Sequence, residues 1–291
     1  MKPFSERIGA VSARKSFQID DMDDALRNSL WNEIYDFYRY ESSPPWGRVA
    51  STVAKHVHKV PVDSVGVTPT QALSWFRSAF FEGPWYQTYE IIEHLYVTES
   101  DQASLMATTF GDLTEHRHRV ALLKSRLNSV LESELSGYRF IDNVLTPISS
   151  PVEVAAIENA ISNLEVDGQT GARQHLLTAL ELLSMKPAPD YRNSIKESIS
   201  SIEAIVNRIA GTAGNGVANA LDRISEKYPI HGALKSSLKS LYGYTSDESG
   251  IRHSILEEVN VGYEEAAFML VACSAFVSFL LAKTADLAGS E

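Results

Sequence analysis

The chain has 291 residues, 44% hydrophobic and 22% charged, so it holds enough apolar material for one large core or two ordinary ones and is not a disordered chain. Its formal charge of −11 excludes a basic coat for non-specific DNA binding, although a local basic cleft can sit on an acidic protein. A single cysteine, Cys273, excludes a disulfide framework and a cysteine-built zinc site, and fits a reducing cytoplasm.

The first residues, MKPFSERIGAVSARKSF, lack a continuous apolar run and are not expected to act as a signal peptide. Residues 20–40 read as a helix: Leu26, Leu30, Ile34 and Phe37 recur at helical spacing, and Asp20, Asp21, Asp23 and Asp24 stand where the helix dipole favours negative charge. A break follows at SSPPWG, residues 42–47. A second helical region runs from about Thr70 to Thr98 with an interruption at Gly83-Pro84. Its aromatic residues, among them Trp75, Phe76, Phe80, Phe81, Trp85, Tyr86 and Tyr89, read as core in preference to a ligand box. Residues 113–135 form a third helical region, basic on one side through Arg117, Arg119, Lys124 and Arg126. The pattern then changes. GYRFIDNVLTPISSP is β-branched and turn-rich, and residues 137–150 are expected to be a short strand or hairpin connector between two parts.

Helices resume at Pro151. Val152–Leu164 ends at Asp167-Gly168, Ala172–Ser184 ends at MKPAPD, and Asp190 can cap the helix Tyr191–Ala210, whose stripe is Tyr191, Ile195, Ile199, Ile202, Val206 and Ile209. GTAGNG breaks it, and Val217–Lys227 and Leu234–Tyr242 lead to a loop at residues 243–250. The segment from Ala266 to Ala282 has no charge over 17 residues, the short edge of a membrane span. Glu264 and Glu265 precede it, and Ser274 and Ser278 interrupt it, which favours a buried central helix or a dimer face. Long helices joined by short loops make the fold class mainly α: a helical domain over 1–136, the small β element, and a helical bundle over 151–291.

No phosphate-binding glycine loop, nucleophile elbow or HEXXH zinc motif is present. His116 and His118 lie two apart in a helix and face different ways, and His56 and His58 share that spacing in a less regular stretch, so no metal or other cofactor is expected. The suggestive residues are in the C-terminal part. Arg192, Asn193, Lys196 and Glu197 crowd the first turns after Asp190, with Asn193 and Glu197 four apart on one face. Arg252 and His253 follow Gly250, before the last helix. In a bundle, the start of one helix and the loop before another can meet at one end. An imidazole for proton transfer and a guanidinium for a phosphate are sufficient for cleaving RNA without a metal, because the 2′-hydroxyl is the internal nucleophile. The same charges equally suit an ion-pair network that ties helices together.

Two stretches carry a family resemblance. Residues 4–32, FSERIG through MDDALRNSLWN, resemble the N-terminal domain of AbiJ-type proteins of bacterial abortive-infection systems. LSMKPAPDYRNSIKESISSIE at 183–203, and LYGYTSDESGIRH at 241–253 running on into EEAAFMLVACSAFVSFLL, resemble the HEPN domain. That resemblance implies a dimerising helical bundle and, in many members, a metal-independent ribonuclease of antiviral defence. It makes His253 the acid/base group, Arg252 or Arg192 the phosphate clamp, and Asn193, Lys196 and Glu197 the substrate-positioning shell. It implies RNA (tRNA or mRNA) as substrate, a homodimer through the C-terminal bundle, a phage-derived or host trigger, a cytoplasmic location and no membrane. The HEPN signature sets four to six residues between its Arg and its His, which would place the Arg at 246–248, whereas those positions are Ser246, Asp247 and Glu248, and Arg252 is adjacent to the His instead. Two readings therefore stand: an endoribonuclease, or a non-catalytic module for dimerisation and for binding RNA or protein.

Overall fold

The first helix, α1 (Asp24–Arg39), begins where Asp23 accepts a hydrogen bond from the Leu26 amide at 2.9 Å. The aspartate thereby satisfies one of the amide groups that a helix start leaves without a partner. The computed structural model describes residues 17–41, 43–110, 114–185, 188–211, 216–246 and 261–285. Among these are eleven α-helices and one two-stranded sheet, a mainly α fold, in two compact units, Met1–Leu145 and Thr146–Glu291.

In the first unit, α1 buries Leu26, Leu30, Ile34 and Tyr38; Phe37, expected in that stripe, is only partly buried. Helix α2 (Trp46–Val53) continues into a π-helical turn, Ala54–His58, which Lys59 closes in the left-handed region at φ 52°. After a 3₁₀ turn at Val62–Val65 comes α3 (Pro69–Glu82), opened by a capping box between Thr68 and Gln71 with proline at its first turn. Helices α4 (Trp85–Phe110) and α5 (Thr114–Ser133) follow. The break at Gly83-Pro84 is real, but α4 runs past the expected end near Thr98 because its apolar face goes on being covered, at Glu99 and Ala103 among others.

The aromatic residues form core, as their spacing indicates. Phe76 and Phe80 are fully buried, and their rings meet Trp31 at 5.2 and 5.3 Å between centroids. Tyr86 is the exception and is half exposed. Two residues of the basic side of α5 turn to α1 and the turn after it: Arg119 donates to the Phe37 carbonyl at 2.8 Å and lies 3.7 Å from Glu41, and Arg126 lies 3.8 Å from Glu33. Strands β1 (Arg139–Ile141) and β2 (Val144–Thr146) form the hairpin, turning at Asp142 with φ 49°. Asn128 on α5 mimics a neighbouring strand: its amide donates to the Phe140 carbonyl at 2.9 Å and accepts from the Phe140 amide at 2.8 Å.

In the second unit, α6 (Pro151–Val166), α7 (Thr170–Ser184), α8 (Tyr191–Ala210), α9 (Gly216–Lys227), α10 (Gly232–Ser246) and α11 (Tyr263–Ala285) follow in order. Helix α8 is the centre and packs against α7, α9, α10 and α11. Its buried stripe is Ile195, Ile199, Ile202, Ile205 and Val206; Ile209 drops out to partial exposure near the helix end. Three buried serines let α7 approach closely: Ser194 donates to the Ala179 carbonyl at 2.7 Å, and Ser198 and Ser201 bond back along their own helix. Residues 243–246, expected in a loop, are the last turn of α10.

Helix α11 is the one helix among the described residues long and apolar enough to cross a membrane. It buries one face inside its unit, at Ala266, Met269, Leu270, Cys273, Ser274, Val277 and Leu280. Burial pushes the Cys273 thiol far above its usual range, so it behaves as an apolar packing group. The other face is only partly covered, with Phe268 62% exposed.

Candidate functional site

The start of α8 is ordered by its own residues. Asp190 accepts from the Asn193 amide N–H at 3.0 Å with one oxygen and from the Asn193 side-chain amide at 2.7 Å with the other. Asn193 is therefore committed to the cap. Arg192 and Lys196, four residues apart and so on one face, are both exposed. Glu197 turns the other way, toward α7, where its Oε2 lies 2.6 Å from Nδ1 of His175. His175 is 39% exposed and Glu197 22%, so the pair sits at the rim of the helix interface and not in the core. The structure thus gathers Arg192, Asn193 and Lys196 at one helix end, and places Glu197 one turn further in, facing an imidazole that the sequence reading did not single out. No local signal marks His175, because its partner is 22 positions away on another helix.

The beginnings of α8 and α11 meet at one end of this unit. The Tyr191 and Tyr263 rings are in edge-to-face contact at 6.4 Å. The Tyr263 hydroxyl also donates to the Pro147 carbonyl. Burial, helped by the nearby Glu153 carboxylate, pushes the Tyr263 phenol up to about 12. It therefore acts as a neutral donor that pins this end. Arg252 and His253 lie outside the described residues; in the chain, His253 stands ten positions ahead of Tyr263.

The first unit holds two further polar clusters. The Glu99 side chain is 1% exposed. Its Oε1 accepts from the Tyr38 hydroxyl at 3.0 Å and from Arg48 at 2.9 Å. His116 stands 3.7 Å from the other oxygen, too far for a hydrogen bond. Burial first, and then the Glu99 charge, hold the Tyr38 phenol well above its usual range. The arrangement is a buried carboxylate that accepts two hydrogen bonds and has an imidazole nearby, a structural clamp between α1, α2, α4 and α5.

The second cluster lies in a cleft of about 490 Å3 beside the π-helical turn. That turn places His56 5.3 Å from His94, ring to ring, and sends His58 elsewhere, against Trp75 at 5.7 Å. Burial and then the His56 charge lower the affinity of His94 for a proton, so it is a neutral imidazole whose Nε2 is bonded to the Thr52 hydroxyl at 3.0 Å. Burial raises the Glu93 carboxyl, an effect partly offset by the Leu145 amide that donates to it at 2.6 Å. Among the described residues no group of three or more His, Cys, Asp or Glu side chains is placed to hold a metal ion.

Comparison with known families bears on the same first unit. Residues 2–163 match AbiJ N-terminal domain 4. The chain belongs to that family. This makes it an AbiJ-type abortive-infection protein. The matched stretch runs through the whole first unit and most of α6, which opens the second. No curated protein and no solved structure matches the chain.

Proposed function

We propose that this AbiJ-type protein acts through its second unit, as a HEPN-like bundle that cleaves RNA without a metal once infection is sensed. The observation that carries the proposal is the Tyr191–Tyr263 contact. It brings Tyr263, ten positions after His253 in the chain, to the end of the bundle where Arg192 and Lys196 are exposed. In this reading His253 takes the proton of an RNA 2′-hydroxyl, which attacks the adjacent phosphorus. The 5′-oxygen leaves with a proton, and the product carries a 2′,3′-cyclic phosphate. Arg252 and Arg192 would neutralise the phosphate as charge builds on it, and Lys196 would hold the neighbouring phosphate. Asn193 and Glu197 contribute by position: the one fixes the helix start, the other turns His175.

The partly covered face of α11 supports a homodimer in the same reading. A helix apolar all round needs a second covering surface, and in a two-fold pair the same patch meets itself. We place this dimer in the cytoplasm, where Cys273 stays reduced. The departure from the HEPN spacing of Arg and His favours a second reading, in which the dimer binds RNA or protein and does not cut it.

Expression of the wild-type chain and of His253→Ala, with and without phage challenge, separates the two. Growth arrest with fragmented tRNA or mRNA in wild type, and neither in the variant, is the expected result. Intact RNA under challenge in the wild type, or undiminished toxicity of His253→Ala, overturns the ribonuclease reading.

A further inference from the structure

An open hollow of about 650 Å3 on the first unit lies between the outer faces of α1 and α3. Its wall is aromatic. Tyr35 stacks on Trp46 at 5.3 Å with 13° between ring planes, and lies near-parallel to Trp31 at 6.0 Å. Two guanidiniums edge it. Arg77 lies over the faces of Trp31 at 5.4 Å and Phe81 at 4.8 Å, and has no carboxylate partner among the described residues. Arg39 lies over Tyr40 at 4.5 Å and bonds Asp36 at 3.0 Å. Two arginines against one aspartate give the hollow a positive balance on a chain whose net charge is −11. Leu73 adds an aliphatic surface and Asn32 an amide with both donor and acceptor character.

Each part fits one kind of ligand. An arginine already stacked on an aromatic ring is oriented before anything binds, and its outward N–H groups suit phosphate oxygens. The Tyr35 ring and Leu73 offer a small apolar surface against which a planar ring can lie, and the exposed amide of Asn32 suits the edge of a nucleobase. The volume lies within the range of small-ligand sites. Arg77 is exposed, so a purely structural role would use only one side of its guanidinium.

We propose that this hollow binds a nucleotide. The base lies against the Tyr35–Leu73 wall, and its phosphate sits between Arg39 and Arg77. The ligand is a free nucleotide or one unit of a single strand; both present the same base and phosphate. The site is in the first unit and does not depend on the ribonuclease reading of the second.

The test uses the full chain and tryptophan fluorescence, since all four tryptophans, Trp31, Trp46, Trp75 and Trp85, belong to the first unit. The probes are AMP, ATP, GTP, inorganic phosphate, and a 2′-O-methyl oligonucleotide that no 2′-hydroxyl chemistry can cleave. Saturable binding of nucleotides or of the oligonucleotide, weakened about tenfold or more in Arg77→Ala, is the expected result. Arg77→Lys keeps the charge but loses the planar fork, so an intermediate affinity is expected. That variant keeps the test open if Arg77→Ala does not fold. Equal affinity for free and strand-borne nucleotides identifies a mononucleotide site. Binding of the oligonucleotide alone, with a steep salt dependence, identifies a strand. Three results overturn the proposal: no binding of any nucleotide probe at millimolar concentration, phosphate binding as tightly as nucleotides, or affinities unchanged in both Arg77 variants.

Discussion

Arg27 is the residue whose loss should cost the first unit most for its size. It lies on α1 and is 9% exposed, yet no carboxylate faces it among the described residues. Instead its guanidinium donates to three carbonyls at the end of α3: Phe81 and Gly83 at 2.8 Å each, and Phe80 at 3.3 Å. These oxygens are among those a helix end leaves without intrahelical partners, and their aligned dipoles carry the negative pole of the helix. A buried cation is thus matched by a helix end and not by an anion. Arg27→Met keeps the aliphatic stem and removes every donor. A hydrogen bond to a charged group contributes roughly 1.5–3 kcal/mol, and three on one group do not add in full, so about 3 kcal/mol is expected for the set. For a unit of this size that lowers Tm by about 6–12 °C. The tryptophans make the measurement selective, because their fluorescence follows the first unit alone. Because the partners are buried dipoles, added salt should change the loss little. A midpoint for Arg27→Met within about 2 °C of wild type would refute the argument, since one unsatisfied buried carbonyl alone costs roughly 1–3 kcal/mol.

Gly66 stands at φ 89°, and a Cβ there would lie 2.7 Å from Cβ of Gln71. Gly66→Ala combines a left-handed strain with displacement of the glutamine that completes the cap of α3, so a loss of about 1–3 kcal/mol is expected as a lower urea midpoint at unchanged slope. Tyr89 gives a pH dependence. Burial pushes its phenol up to about 12, and the Ser136 hydroxyl partly opposes that. Its contribution is complete below pH 10, where unfolded and folded chains both hold the proton. Stability is lost as pH rises from 10 through about 12, because there only the unfolded chain has released it. Tyr89→Phe should flatten the fall in stability over that window, measured by urea titrations at successive pH values; an unchanged or steeper fall would count against it.

What the sequence shows of this fold is what depends on neighbours a turn or two away. The acidic start of α1, the Asp190 cap, the Gly83-Pro84 break and the isoleucine stripe of α8 all follow from local spacing, and each stands in the structure. The limits of that legibility are equally physical. The four basic residues of α5 look like an open cationic face from spacing alone. Only packing against α1 shows that Arg119 and Arg126 are engaged. His56 and His58 look like an equivalent pair until the π-helical turn rotates them apart, toward partners far away in the chain.

The same division explains the two candidate sites. The polar run after Asp190 stands out because its residues are contiguous, yet contiguity hides how they differ. Asn193 serves the cap, Glu197 serves α7, and Arg192 and Lys196 are exposed. The hollow by Arg77 draws its wall and its charges from α1 and α3, separated in the chain by α2 and two irregular turns, so no window of sequence contains it. A site made from one helix end advertises itself in the sequence, although Asn193 and Glu197 turn out to have partners in the cap and on α7. A site made across helices is silent in the sequence, and its Arg77 has no carboxylate partner among the described residues, Asp36 in the same hollow being bonded to Arg39. The charge imbalance at Arg77 therefore comes into view only when α1 and α3 are packed together, whereas the charges around α8 are visible in one stretch of chain.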